Sequence, residues 1–318
     1  MPIKTLSRVG YMPKLVGAVG LDSIRINSSC EHNCAEQIRE AQIIQSSLLP
    51  TTALCYKSVE LAFRFIPFSE VGGDFADFFL LPDGCIGIYL GDVVGKGLPA
   101  AMFAALVMGT LRGIHKTGTD TALVLERLNE RMAQRPIYGR FCSTLYALFN
   151  VATRELIFSN AGMPLPLLVS GSTCRQLGEG GLPSGMFAGS TYERHVVQLS
   201  PGDCVLFATD GLHELRNGDE VEFCTAEMDQ VWAQCGGKSA TESADFIFDR
   251  QLAFSDGIPP HDDVTGIVLK VLWAIPRAAR CHDTSIFSST NFLSASSLPV
   301  SSNEFVIVAA PLSTFVIT

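Results

Sequence analysis

Residues 31–50 carry apolar side chains at helical spacing. Ala35, Ile38, Ala41, Ile44 and Leu48 share one face, and Pro50 stops the run. From Val59 the period shortens. Residues 59–67 alternate in part, 75–81 and 86–90 are apolar, and Pro82-Asp83-Gly84 between the last two is a turn signal. The stretch from Asp74 to Asp92 therefore predicts a β-hairpin. Small and apolar residues over 99–114 predict a buried helix. Leu123, Leu125, Leu128 and Met132 mark a second helix over 121–133. Strand signals return at 143–150, 155–160, 166–169, 195–199 and 204–209. Helices are predicted at 228–232 and 239–254, and a last strand at 266–273. Strand runs flanking blocks of helix predict an α+β fold, a sandwich of antiparallel sheets with outer helices.

The pattern divides the chain into four parts. Residues 1–30 show no sustained period and form a poorly defined N-terminal segment. Residues 31–58 form a linker or switch helix, and 59–274 the folded domain. Residues 275–318 are expected to be a loosely attached tail, because a Ser/Thr-rich, weakly charged composition buries too little to offset ordering entropy. Its closing apolar segment, 305–318, is either an edge strand or an ill-formed end. An apolar stripe on a lone helix seeks a partner, so helix 31–50 is expected to pack on its own domain or pair with a second copy.

Composition narrows the classes. The chain has 318 residues, 47% of them hydrophobic and 17% charged, which is a core-forming composition. A net charge of -9 excludes nucleic acid as the main partner, since a phosphate backbone wants a basic footprint. The ten cysteines are scattered without a CxxC pair and read as buried free thiols in a reducing compartment. Cys30, His32 and Cys34 lack the second matched pair of a zinc site. No apolar run of 18 residues and no leader pattern appears, so neither a membrane span nor a signal peptide is expected, and the cytoplasm is the default.

The chemistry sits in aspartates next to strands. Asp74 lies in Val71-Gly-Gly-Asp-Phe75, Asp92 in Leu90-Gly-Asp-Val-Val-Gly-Lys-Gly-Leu98, Asp210 in Phe207-Ala-Thr-Asp-Gly-Leu212, and Asp262 and Asp263 in His261-Asp-Asp-Val-Thr265. Strand ends beside glycine-permitted turns can aim several carboxylates at one point. Oxygen-rich sets poor in His and Cys suit hard cations such as Mg²⁺ or Mn²⁺, and a pair of such ions can clamp a phosphoryl group and acidify a shared water. Taken singly, each is equally a turn aspartate. The loop 91–97 is not a nucleotide P-loop, because no Ser or Thr follows Lys96. Instead the helix beginning near Pro99 directs its N-terminus toward an anion. Lys96, with Gly95 beside it, is a candidate contact for substrate phosphate, or else a solvated lysine. Thr265 either bonds an adjacent aspartate or serves as a β-branched strand residue.

The ordered motifs Gly72-Gly-Asp-Phe, Gly91-Asp-Val-Val-Gly-Lys-Gly, Asn160-Ala-Gly, Thr209-Asp-Gly and Asp262-Asp-Val-Thr resemble those of PPM-type phosphatases of the SpoIIE/RsbU kind. Gln42-Ile-Ile-Gln-Ser-Ser-Leu-Leu-Pro50 resembles the segment preceding that domain, and the match covers about residues 36–272. The resemblance implies a four-layer α-β-β-α sandwich and two Mn²⁺ or Mg²⁺ ions. It implies metal ligation by Asp74, Asp92, Asp210, Asp262 and the Val93 carbonyl. Asp263 competes with Asp262, but alternation turns it to the opposite face. It also implies hydrolysis of phosphoserine or phosphothreonine by a water bridging the two metals. The implied substrate is a regulatory protein of the anti-sigma-factor-antagonist type. One departure is Met163, where the family usually has His. Met cannot titrate, and it fills apolar gaps. Two rivals follow: a catalytically inactive phosphoprotein-binding module on the same fold, and a nucleotide switch at 91–97, for which no Walker-type Ser/Thr exists.

Overall fold

The computed structural model describes residues 28–273, apart from 52, 116–119 and 138. The expected Ser/Thr-rich tail and nearly all of the expected N-terminal segment lie outside the described residues.

Helix α1 spans Ser28–Leu48. A short strand β1 (Leu54–Tyr56) leads into β2 (Val59–Ile66), then the hairpin β3 (Phe75–Leu80) and β4 (Cys85–Val93). Helices α2 (Gly97–Ile114) and α3 (Thr121–Gln134) follow. Next come β5 (Cys142–Asn150), β6 (Glu155–Ala161), β7 (Leu167–Ser170), β8 (Thr173–Gln176), β9 (His195–Gln198) and β10 (Cys204–Ala208). Four helices separate β10 from the last strand: α4 (Asp210–His213), α5 (Phe223–Ala226), α6 (Met228–Ala233) and α7 (Ala240–Phe254). Strand β11 (Val264–Val271) completes the fold.

The strands form two antiparallel sheets, ordered β1-β2-β11-β10-β7-β8 and β3-β4-β5-β6-β9. Three apolar slabs hold the layers together. Between the sheets lie Ile86, Ile88 and Leu90 of β4, Leu145 and Phe149 of β5, and Ile267, Leu269 and Val271 of β11. Phe103, Val107 and Leu111 of α2, with Val124 and Leu128 of α3, cover the outer face of the second sheet. Trp232 of α6 and Ala244 and Ile247 of α7 cover the first. The result is the expected α-β-β-α sandwich. Strands buried on both faces lose polar alternation, which is why β4, β5 and β11 read as apolar runs.

Local chemistry fixes the ends. Asp120 caps α3 by accepting from the Ala122 and Leu123 amides, and Ser239 with Glu242 forms a capping box on α7. By length and composition alone, α2 is apolar enough to cross a bilayer, which the sequence pattern did not predict. Here its apolar side packs on the sheet instead: Phe103, Val107, Met108 and Leu111 are buried. Among the described residues Cys34, Cys85, Cys142, Cys174, Cys204 and Cys235 are free thiols.

Trp232 is fully buried, and its indole N–H donates to the Leu167 carbonyl at 3.1 Å. Replacing it with Ala empties the first outer slab and removes that hydrogen bond. Urea unfolding followed by far-UV circular dichroism is expected to show a loss of about 3–5 kcal/mol for Trp232→Ala.

Candidate active site

The period of two along each strand builds the site. In β4 the side chains of Ile86, Ile88 and Leu90 fill the slab between the sheets. Asp92 is the next residue on that face. In the same way Ala76 of β3 leads back to Asp74, Phe207 of β10 leads to Thr209, and Ile267 of β11 leads back to Thr265 and Asp263. The apolar slab thus ends in a polar plug assembled from both sheets. The β3–β4 ladder pairs Phe75 with Gly91, so Asp74 and Asp92 face each other one step beyond it.

Asp74 is the buried centre of the plug. Its Oδ2 accepts from the Thr209 hydroxyl at 2.9 Å and from the Thr265 hydroxyl at 2.5 Å. Thr265 therefore bonds an aspartate of the opposite sheet, not an adjacent one. The sequence reading counted Thr209 only as part of the Thr209-Asp-Gly motif and gave its hydroxyl no role.

The paired acids Asp262 and Asp263 separate. Asp263 is buried, and its carboxylate accepts from the Phe68 amide at 2.8 Å and the Gly73 amide at 2.7 Å. It organises the loop before β3. A Cβ on Gly72 would come within 1.9 Å of this carboxylate, so that approach requires glycine. Asp262 faces the open side, with its Oδ2 3.1 Å from Lys96 Nζ. Lys96 also donates to the His261 carbonyl and lies over the Phe68 ring. Its charge is paired with Asp262. Gly95 has φ +105°, and a Cβ there would strike the guanidinium of Arg140.

Asp92 and the Val93 carbonyl point the same way. Asp92 Oδ1 and Val93 O each lie 3.0 Å from the point where a Cβ on Gly73 would sit. Asp210 opens α4 directly after β10. Asp92, Asp210, Ser143, Met163 and Glu214 line a cavity of about 230 Å³. Met163 is buried in the inter-sheet slab. Asn160 holds its loop, donating to the Met163 carbonyl at 2.9 Å and accepting from its amide at 2.8 Å. Met163 thus closes the cavity floor by packing alone. His213 stays neutral, its pKa pushed down to about 4 by burial.

The carboxylates repel one another. Burial, followed by the charges of Asp210, Asp262 and Asp263, pushes Asp92 up to about 8. Burial and then Asp92 raise Asp74 well above the ordinary carboxylate range, and burial and then Asp262 raise Asp210. A concentration of acids that titrates this way is one that a cation relieves. Among the described residues no three His, Cys, Asp or Glu side chains already close into a ligand shell. The oxygen donors suit a hard cation.

The sandwich and its ring of acids define a PPM-type phosphatase. The sequence model of the family described as Stage II sporulation protein E (SpoIIE) matches residues 82–272, and the chain belongs to that family. It is 27% identical over 237 residues to phosphoserine phosphatase RsbU of Bacillus subtilis (strain 168), covering 74% of this chain and 70% of that protein. Its fold matches the SiaA-PP2C domain of Pseudomonas aeruginosa with a TM-score of 0.68 at 19% identity, covering 77% of this chain and 99% of that one. It also matches RsbX in complex with magnesium, with a TM-score of 0.52 at 16% identity, covering 69% of this chain and 98% of that one. The chain is a protein serine/threonine phosphatase of the SpoIIE/RsbU type, a metal-dependent class of hydrolase.

Two outcomes follow from this geometry. Without metal, Asp92 holds its proton in the fold up to about pH 8, whereas an unfolded aspartate ionises near 4. The stability this proton contributes is full below the unfolded value and is lost as pH rises through the folded one. Thermal melts in chelator are therefore expected to fall between about pH 5 and about pH 8, and stabilisation by added Mn²⁺ to grow over the same interval. Separately, the Gln45 amide of α1 brackets Gly72, donating to its carbonyl at 2.7 Å and accepting from its amide at 3.0 Å. Gln45→Ala is expected to speed hydrogen exchange of the Gly72 amide about tenfold, with the exchange of β5 amides unchanged.

Proposed function

We propose that this phosphatase removes phosphate from phosphoserine or phosphothreonine on a regulatory protein of the anti-sigma-factor-antagonist type, using two divalent ions, Mn²⁺ or Mg²⁺. The observation that carries the reading is the gathering of carboxylates from both sheets around Asp92, whose proton affinity rises through burial first and then through its acidic neighbours. Asp74, Asp92, Asp210 and Asp262, with the Val93 carbonyl, are the residues that would hold the ions. When bound, such ions neutralise phosphoryl oxygens and acidify water for in-line attack.

The protein's own contribution is placement. Thr209 and Thr265 fix the orientation of Asp74 through its Oδ2. Asp263 serves the same site indirectly, by pinning the amides of the loop that carries Asp74. Lys96 holds Asp262 in position. Charge placement is the main task in phosphoryl transfer, which proceeds without any covalent enzyme intermediate here. The phosphoserine substrate class is supported by the name of the Bacillus relative. Pairing of α1 with a second copy is supported by its exposed Ile43 and Ile44.

Hydrolysis of an aryl phosphate with and without Mn²⁺ tests the reading. Wild type should turn over only with metal, and Asp210→Asn should lose at least about 100-fold in kcat/KM. A wild type without metal-dependent turnover on this substrate or on any phosphoserine protein would sink it.

A further inference from the structure

Two cations lie along the loop that follows Asp92, and among the described residues only one of them is paired with a carboxylate. Lys96 is bound to Asp262. Arg140 is not: among the described residues no carboxylate forms an ion pair with it, and its guanidinium donates from Nη1 to the Val94 carbonyl.

Strand register puts it there. The β4–β5 ladder pairs Asp92 with Ser143 and Val93 with Cys142. It continues past the strand ends, where the Val94 amide donates to the Phe141 carbonyl at 3.1 Å. The next position sets Arg140 opposite Gly95. The missing side chain makes the room, since a Cβ on Gly95 would lie 2.2 Å from Arg140 Nη1. The guanidinium is therefore anchored one residue beyond the Val93 carbonyl, on the loop that leads away from Asp92. A guanidinium has five N–H donors in a fixed fork, and a single carbonyl engages only part of it.

We propose that Arg140 reads the phosphoryl group: while its Nη1 stays on Val94, its remaining N–H groups donate to a phosphoryl oxygen of substrate and of the phosphate product. This rests on the phosphatase reading given above. A positively charged fork offsets the acidic surroundings and selects a tetrahedral oxyanion.

Wild type, Arg140→Gln and Arg140→Lys, each checked for an unchanged thermal melt, are titrated by calorimetry, first with Mn²⁺ and then with inorganic phosphate on the Mn²⁺-loaded protein. KM and kcat for an aryl phosphate are measured alongside. Phosphate affinity should fall about tenfold in Arg140→Gln and recover in part in Arg140→Lys, with KM rising in step and Mn²⁺ affinity within about twofold of wild type. Unchanged phosphate affinity in Arg140→Gln overturns the proposal. So does a loss of Mn²⁺ affinity that parallels the loss of phosphate, which marks Arg140 as a brace for the loop and nothing more. If wild type turns over with metal, either result counts against Arg140 alone. If wild type shows no metal-dependent turnover, the phosphatase reading and this inference fall together.

Discussion

A buried carboxylate held by two hydroxyls of the opposite sheet organises this molecule. Asp74 stands at the end of one sheet, while Thr209 and Thr265 belong to the other. An unpaired buried aspartate would be strongly unfavourable, and two donors from fixed strands are what make its position tolerable. The same contacts set the distance between the sheets at the site end. The remaining acids are arranged relative to this point: Asp92 faces Asp74 across a hairpin, and Asp263 ties down the loop that delivers it. Burial first, and then the neighbouring acids, raise the proton affinity of Asp74 and Asp92, an effect that a bound cation would oppose.

The remainder of the structure keeps that end rigid. Apolar slabs on three levels exclude water from the strands, and helix α1 grips the Gly72 loop from outside through Gln45. Arg112 of α2 joins these parts, donating to the Leu48 carbonyl at 2.7 Å and to Asp77 at 2.9 Å. A displacement of α1 would therefore be felt at the loop carrying Asp74 through two hydrogen bonds to one residue.

Much of this was legible in the sequence. Long apolar runs bounded by Pro-Asp-Gly announced the β3–β4 hairpin, and each glycine-flanked aspartate at a strand end fell at the same end of the sandwich. Strand β8 was missed because its four residues are polar and lie at a sheet edge, where no burial imprints a pattern. The short β1 and α5 are too brief to show a period. The partition of Asp262 and Asp263 depends on which strand face meets the slab, and alternation separates them without saying which face is which. Arg140 was invisible for a related reason. It is far from Gly95 in the chain, and only the pairing of Asp92 with Ser143 brings the two together.

The hydroxyl of Thr265 and the carboxylate it binds are 191 residues apart. That separation gives the site a place in time. Strand β11 inserts in the middle of its sheet, between β2 and β10, and so joins the earliest and latest parts of the domain. Contacts between such distant segments form late, because loop closure must come first. During synthesis the chain emerges with Asp74, Asp92 and Asp210 before Asp262, Asp263 and Thr265 exist to complete the plug. In a nascent chain of this kind the polar plug around Asp74 stays incomplete until the last strand has been laid between its neighbours.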